Sequence, residues 1–395
     1  TPNTFPTTTE HRPPLPMSTI EFNQPILTGR EREYMEVALA NRHISACGPF
    51  TGRCEAWLQE RLGAPRVILT TSGTDALEMA ALLLDLQPGD EVIVPSFTFV
   101  STASAFVRAG ARPVFADIRP DTLTMDVNHV ASLVTARTRA LIPVHYAGVG
   151  CGMDELLALA ARAGAEVVED NAHGLFNRRG GRLLGTLGRF GILSFHETKN
   201  LTCGEGGALI VNRADDIPRA EVLRDKGTNR SRFLQGLVDK YTWVDAGSSF
   251  GLSDLLAAFL FAQLESESGI QARRRAIWMR YSDGLSAWAR AAGARMPCIP
   301  PDCEPSWHSF FLVLPAREAR DALILHLRGR GIDAVFHYQP LHLSPMGQRL
   351  GGRPGACPVT EQVSDGLLRL PFHNALSDEE VDRVCEAVRE FGVAL

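Results

Sequence analysis

The sequence predicts an α/β protein: a large domain on a mostly parallel sheet, then a smaller α+β C-terminal domain. Three observations carry this. From about residue 30, short apolar runs alternate with amphipathic segments, as buried strands joined by helical crossovers do. After residue 250 this alternation gives way to a long helical stretch and a shorter mixed pattern. The length, 395 residues, is also more than one core usually organises. The expected division is a tail over 1–19, a large domain over 20–265 and a small domain over 266–395.

The elements follow in order. The tail, TPNTFPTTTEHRPPLPMST, is rich in Thr and Pro and reads as disordered, with Met17 a candidate original start; it lacks the basic-then-apolar order of a leader. EREYMEVALANR and RCEAWLQERLG have helical spacing, and Gly63 stops the second. RVILTTSGTDALEMAALLLDL reads as strand, turn and helix, and EVIVPSFTFVSTASAFVRAG repeats that logic. ARPVFAD, RALIPVHY, AEVVED, GILSFH and GALIVN are further strands, and MDELLALAARAG is a crossover helix. The long helical stretch runs from LSDLLAAFLF to SAWARAAG. SWHSFFLVLP, RDALILHLRGRGI, AVFHY and SDEEVDRVCEAVREFG complete the small domain.

Composition narrows the function. With 45% hydrophobic and 22% charged residues and a net charge of -5, the chain has ordinary globular composition and no basic stripe for nucleic acid. No apolar run is long enough for a membrane span. The eight cysteines form no CxxC pair, which argues against zinc, and no metal site is expected. Their scatter fits reduced thiols in the cytoplasm.

Lysine usage is more telling. Of 40 Lys and Arg, only Lys199, Lys226 and Lys240 are lysines. Lys226 and Lys240 lie in the polar segment RDKGTNRSRFLQGLVDKYTW, whereas Lys199 follows a strand in SFHETKNLTCGEGG. A guanidinium stays protonated, while a desolvated amine can lose its proton and bond to a carbonyl. In open α/β sheets, ligands gather at the carboxyl ends of strands. Those ends deliver Asp170 from AEVVED, Ser72, Gly73 and Thr74 from ILTTSGT, Phe97 from EVIVPSF, and Ser194 and His196 beside Lys199. Pyridoxal 5′-phosphate needs such a set: a Schiff-base lysine, a carboxylate on the ring nitrogen, phosphate donors at a helix start and an aromatic face. HETKN has Asn200 where HExxH needs its second histidine, and GTLGRFG is not GxGxxG at a strand-to-helix turn, so neither a zinc protease nor a dinucleotide site is indicated.

The order TSGTDAL, PSFTFVSTA, PVHYAG, VVEDNAHG, SFHETKNLTCGEGG resembles the DegT/StrS family of nucleotide-sugar aminotransferases, from about residue 20 to the C-terminus. FHETKN, DKGTNRS, DKYTW, GSSF and FHYQPLH are similar to the branch of dTDP-4-amino-4,6-dideoxygalactose transaminase. The resemblance implies the aspartate-aminotransferase-like fold (fold type I of pyridoxal-phosphate enzymes), a homodimer or higher oligomer, and amination of C4 of dTDP-4-keto-6-deoxy-D-glucose by L-glutamate, which leaves as 2-oxoglutarate. It makes Lys199 the cofactor-bound base and Asp170 the partner of the ring nitrogen. Gly73, Thr74 and Ser194 would hold the phosphate, Phe97 would stack on the ring, and His196 would face the cofactor. Two positions depart from the family pattern. His173 replaces a usual glutamine, and its charge could perturb the cofactor. In GSSFG, Ser249 and Gly251 replace the asparagine and arginine with which a second subunit meets the phosphate. Tyr146, Arg230, His337 and Tyr338 are the candidates to line the sugar pocket.

Rival readings are a C3 aminotransferase, a dehydratase of the same fold and a catalytically silent sensor. Relatives that dehydrate carry histidine at the lysine position, so Lys199 opposes the second; Lys199, Asp170 and Thr74 together oppose the third. The face of the sugar that receives the amine, galacto or gluco, is not legible in the sequence. An arginine- and alanine-rich composition favours an antibiotic sugar over a surface polysaccharide.

Overall fold

The computed structural model describes residues 19–230, 233 and 236–392, so the expected tail lies almost wholly outside the described residues. A seven-stranded sheet forms the centre, ordered β1-β9-β8-β5-β4-β2-β3. Its strands are β1 (Arg66–Thr70), β2 (Glu91–Pro95), β3 (Arg112–Ala116), β4 (Thr138–Leu141), β5 (Glu166–Asp170), β8 (Phe190–Ser194) and β9 (Gly207–Val211). Four pairings are parallel; the two that involve β9 are antiparallel. The reason is local. β9 returns directly from β8 through residues 195–206, without a crossover helix, and so must run the other way.

Both faces of the sheet are covered, which explains the unbroken apolar runs. Val67, Leu69, Ala208 and Ile210 point to one core, while Ile68, Leu209 and Val211 point to the other. The first core packs under α1 (Glu31–Ala40) and α2 (Pro49–Leu62). The second packs under α3 (Gly73–Leu83) and α4 (Ser101–Arg108). Gly63 ends α2 with φ of 63°, a left-handed conformation that costs glycine nothing.

The stretch read as one long helix is two, Asp254–Glu265 and Glu267–Ala291, parted at Ser266. Short strands β6 (Arg178–Arg179), β7 (Arg182–Leu183) and β10 (Cys303–Glu304) pair at the junction with the C-terminal part. The last sheet is antiparallel, ordered β11 (Phe311–Val313), β13 (Leu367–Arg369), β12 (Val335–Phe336). Helices Arg317–Arg328 and Asp378–Glu390 share a core with it through Leu312, Leu368, Leu323 and Val384. Ile20 joins that core and pairs with Ile332, so the first described residues pack on the C-terminal unit. Among the described residues no helix is long and apolar enough to cross a membrane, and no group of three or more His, Cys, Asp or Glu could hold a metal ion.

Candidate active site

A cavity of about 560 Å³ opens at the carboxyl ends of the central strands. Its floor begins at α3. Ser72 caps this helix, its Oγ accepting from the Asp75 amide at 3.0 Å. The Gly73 and Thr74 amides are in the first turn, where the helix has no carbonyl to offer them. Thr74 Oγ1 and Ser101 Oγ lie 2.7 Å apart, and Ser194 Oγ borders the same space. Glycines permit this crowding. A Cβ on Gly73 would stand 3.1 Å from Ser194 Cβ, and one on Gly207 would stand 2.4 Å from the Gly73 nitrogen. Three hydroxyls and a helix start therefore converge on a small volume suited to an oxyanion.

Asp170 ends β5 at the other end of the cavity, 4% exposed. Its Oδ2 accepts from Thr102 Oγ1 at 2.8 Å and its Oδ1 from the Ala172 amide at 3.1 Å. The pleat decides which of two neighbouring acids faces the cavity. Glu169 points to the opposite face, where it accepts the Gly185, Leu187 and Gly188 amides and meets His145 Nε2 at 3.0 Å.

Lys199 sits in the hairpin from β8 to β9, held by its amide to the His196 carbonyl. Burial pushes its ammonium down to about 8, with Arg369 adding to the shift and Asp170 opposing it. A fraction of the amine is thus unprotonated near neutral pH. His196 lines the mouth, its Nδ1 2.9 Å from Thr198 Oγ1.

The far wall is a cluster of rings from the C-terminal unit and the segment after β5. His173 stacks on His308 at 4.3 Å between centroids. The Ala147 amide donates to His173 Nδ1 at 3.3 Å, so a neutral His173 carries its proton on Nε2, 3.3 Å from the Tyr338 hydroxyl. Burial drives His173 well below its ordinary value. Burial therefore favours the neutral ring, which can hydrogen-bond without bringing a positive charge into the cavity. His308 Nδ1 donates to Asn200 Oδ1 at 2.8 Å, since the Asn200 amide nitrogen faces Gln271 Oε1 and the Ser306 carbonyl. His337 and Tyr338 line the cavity, and Tyr146 stands behind them with its hydroxyl 2.9 Å from His337 Nδ1.

Of the residues singled out from sequence, Gly73, Thr74, Asp170, His173, Ser194, His196, Lys199, His337 and Tyr338 meet in this cavity. Four lie outside its lining. Phe97 is 1% exposed and packs against Tyr146, Ile118 and Leu123. The open aromatic is Phe99, which lines the cavity and is 57% exposed, two residues beyond the expected ring. The chain turns from strand into α4 over residues 96–100, and the strand-end reading stopped one pleat early. Tyr146 is buried behind the wall. Arg230 is exposed, 4.0 Å from Asp225. Ser249 is exposed and bridges to Asp225. Sequence reasoning passed over Thr102, Phe99, Ser101, His308 and Arg369. Arg369 had a visible sign: an arginine inside the apolar run LLRLP.

A model of the DegT/DnrJ/EryC1/StrS aminotransferase family matches residues 25–389. The chain belongs to this family. As a member of the DegT/DnrJ/EryC1/StrS family it is an enzyme of the aminotransferase fold, with the mixed large sheet and smaller C-terminal unit described above. It is 32% identical over 379 residues to the spore coat polysaccharide biosynthesis protein SpsC of Bacillus subtilis, covering 94% of this chain and 96% of that one. It is 37% identical over 322 residues to the dTDP-3-amino-3,4,6-trideoxy-alpha-D-glucose transaminase of Streptomyces venezuelae, covering 81% of each. A Streptococcus pneumoniae protein described as a sugar aminotransferase, solved in its PLP form, superposes with a TM-score of 0.87 at 27% identity, covering 94% of this chain and 98% of that one.

The residues present fit that cofactor. Hydroxyls and free amides at the start of α3 suit its phosphate, Asp170 suits its ring nitrogen, Lys199 suits its aldehyde carbon, and Phe99 offers an aromatic face.

Proposed function

We propose that the chain transfers the amino group of L-glutamate to C4 of dTDP-4-keto-6-deoxy-D-glucose, giving a dTDP-4-amino-4,6-dideoxy sugar and 2-oxoglutarate, with pyridoxal 5′-phosphate as cofactor. The observation that carries this reading is one cavity lined by Lys199, Asp170 and the hydroxyl-rich start of α3. The bound cofactor would supply an electron sink for a carbon that loses a proton. Asp170, fixed by Thr102 and the Ala172 amide, would keep a proton on the ring nitrogen. Lys199, with its ammonium near 8, would take the proton from the donor's α-carbon and return it in the sugar half of the cycle. Gly73, Thr74 and Ser194 would hold the phosphate, and His196 would border it. His337 and Tyr338 would contact the sugar, with Tyr146 as support.

A homodimer is part of the proposal: Ser249 is exposed and outside the cavity, as a residue offered to a second copy's phosphate would be. Arg230 is likewise exposed, at the 4.0 Å edge of an ion pair with Asp225, and would reach the sugar diphosphate of a neighbouring site. Free, mostly buried cysteines accord with a cytoplasmic enzyme.

A second reading is amination at C3, favoured by the name of the Streptomyces relative, a 3-amino sugar transaminase. The visible spectrum tests the common part: a yellow band that bleaches with glutamate and returns with the keto sugar supports it. Protein that stays colourless after pyridoxal phosphate is added sinks both readings. NMR of the product then assigns nitrogen to C4 or C3.

A further inference from the structure

We infer that His342 is a positioning residue for the cofactor site: it locks the end of β2 to the C-terminal unit and so holds two walls of the cavity in register. The inference rests on the pyridoxal-phosphate reading given above. His342 and Ser96 are both 0% exposed and meet across 246 residues of sequence. Ser96 follows β2 directly. Just beyond it, Phe99 lines the cavity and Thr102 reaches Asp170. His342 follows His337 and Tyr338, which line the cavity from the other side.

The polar groups of Ser96 are all committed. Its amide donates to the Ala116 carbonyl at the end of β3 at 2.8 Å, and its carbonyl accepts from the Leu341 amide at 2.9 Å. Its Oγ accepts from the His342 amide at 3.2 Å and stands 2.6 Å from His342 Nδ1. On the other side of the ring, Nε2 lies 2.9 Å from Glu361 Oε1, which also accepts the Gly355 amide at 2.7 Å. An ionised carboxylate only accepts, so Nε2 carries the ring proton, Nδ1 is an acceptor, and Ser96 Oγ donates to it. Donors and acceptors then match along the whole chain from Ser96 to Glu361. The backbone closes tightly around the ring, since a Cβ on Gly352 would overlap the His342 carbonyl.

Serine, histidine and a carboxylate in this order can activate a nucleophile. Here Ser96 has no access to solvent, so the set is a joint and not a hydrolase centre. What it joins is the cavity. The helix that carries Glu361, Pro358–Gly366, is held to the segment after β3 by Asp117, which accepts the Val359 and Thr360 amides at 2.9 and 2.8 Å. The same helix holds the far wall, because Ser364 Oγ donates to the Tyr338 carbonyl at 2.6 Å. The two walls meet at Phe99 and Tyr338, whose ring centroids are 6.4 Å apart. A slack joint would let the end of β2 drift, and with it both Phe99 and the threonine that aims Asp170. A displacement of about 1 Å at a supporting position is enough to loosen a site.

The test compares wild type with S96A, H342N and H342Q. Asparagine keeps an oxygen where Nδ1 stands and so keeps the Ser96 bond; glutamine reaches Glu361 and loses Ser96. Equilibrium dialysis against pyridoxal phosphate and visible circular dichroism of the bound cofactor report on the site. Deuterium exchange of the cofactor-free proteins over residues 96–102 reports on the joint itself. Cofactor affinity should fall about tenfold in S96A and H342Q, with altered cofactor dichroism, and H342N should recover most of it. Exchange over the same segment should quicken in S96A and H342Q and less in H342N. Far-ultraviolet circular dichroism checks that each variant folds, and S96A, which deletes one oxygen, carries the test if the histidine variants do not. Equal losses in H342N and H342Q would mean that the ring only fills space, and would overturn the inference, as would undiminished affinity in S96A. A wild type that takes up no cofactor sinks the aminotransferase reading; faster exchange in H342Q than in H342N would then still support the joint, and equal exchange would overturn it as well.

Discussion

Thr102 Oγ1 donates a 2.8 Å hydrogen bond to Asp170 Oδ2, and Thr98 Oγ1 stands 2.8 Å behind Thr102. Because the Thr102 proton goes to Asp170, Thr98 must donate to Thr102. Two hydroxyls at the start of α4 thus aim a carboxylate that ends β5. The Ala172 amide takes the other oxygen, so the direction in which Asp170 presents its charge is set by groups on two sides.

Replacing Thr102 with Val keeps the shape and removes the donor. Cofactor affinity should fall about tenfold to a hundredfold, the range of a hydrogen bond to a charged group, and T102S should restore most of it. Equilibrium dialysis against pyridoxal phosphate measures this. Unchanged affinity in T102V would show that Asp170 needs no aiming.

The two phenylalanines of PSFTFV should separate cleanly. Phe97→Ala deletes a buried ring and should cost about 3–5 kcal/mol in urea denaturation. Phe99→Ala should leave the denaturation midpoint almost unmoved and weaken cofactor retention. The reverse pattern would return the stacking role to Phe97.

Lys199 carries a pH signature. Its ammonium is held near 8 in the fold against 10.5 when free. Between those values the native state binds fewer protons than the unfolded chain, so stability rises with pH. In cofactor-free protein, K199M should therefore be more stable than wild type at pH 7, by about 1–3 kcal/mol after allowing for solvent screening of a half-buried amine. That gap should close as pH climbs from about 8 toward 10.5. Urea midpoints over this range check it; a gap independent of pH refutes it.

His173 should behave as a neutral ring. Burial holds it well below its ordinary value, so His173→Gln should leave the acid limb of the rate profile unchanged between about pH 6 and 8. A limb that moves with the substitution would mean that His173 titrates in the working enzyme.

Much of this was legible beforehand. The strands were readable because both faces of the sheet are buried, so each strand is an unbroken apolar run bounded by breakers. Asp170, Lys199 and the α3 turn were readable because ligand chemistry collects at strand ends. What escaped was set by contacts distant in sequence. Thr102 meets Asp170 across 68 residues. His308 meets Asn200 across 108. No local pattern announces either. The antiparallel course of β9 also escaped, since a hairpin and a crossover can carry the same apolar run. That Phe99 and not Phe97 lines the cavity reflects a different limit: strand ends are readable, but not how far the chain continues before its helix begins.

Gly207 leaves no room for a Cβ beside the Gly73 nitrogen, which has a meaning for how this enzyme could change. Where β9 crosses the start of α3 the two main chains are in contact, so the hydroxyls of Thr74, Ser101 and Ser194 stand beside a backbone with no room for a side chain at Gly207. The opposite wall, from His308, His337, Tyr338 and Arg369, is all side chain on a separate sheet and its flanks. Change of substrate is therefore accommodated more readily at that second wall. A retargeted descendant would keep the glycine mould and exchange the rings that face it.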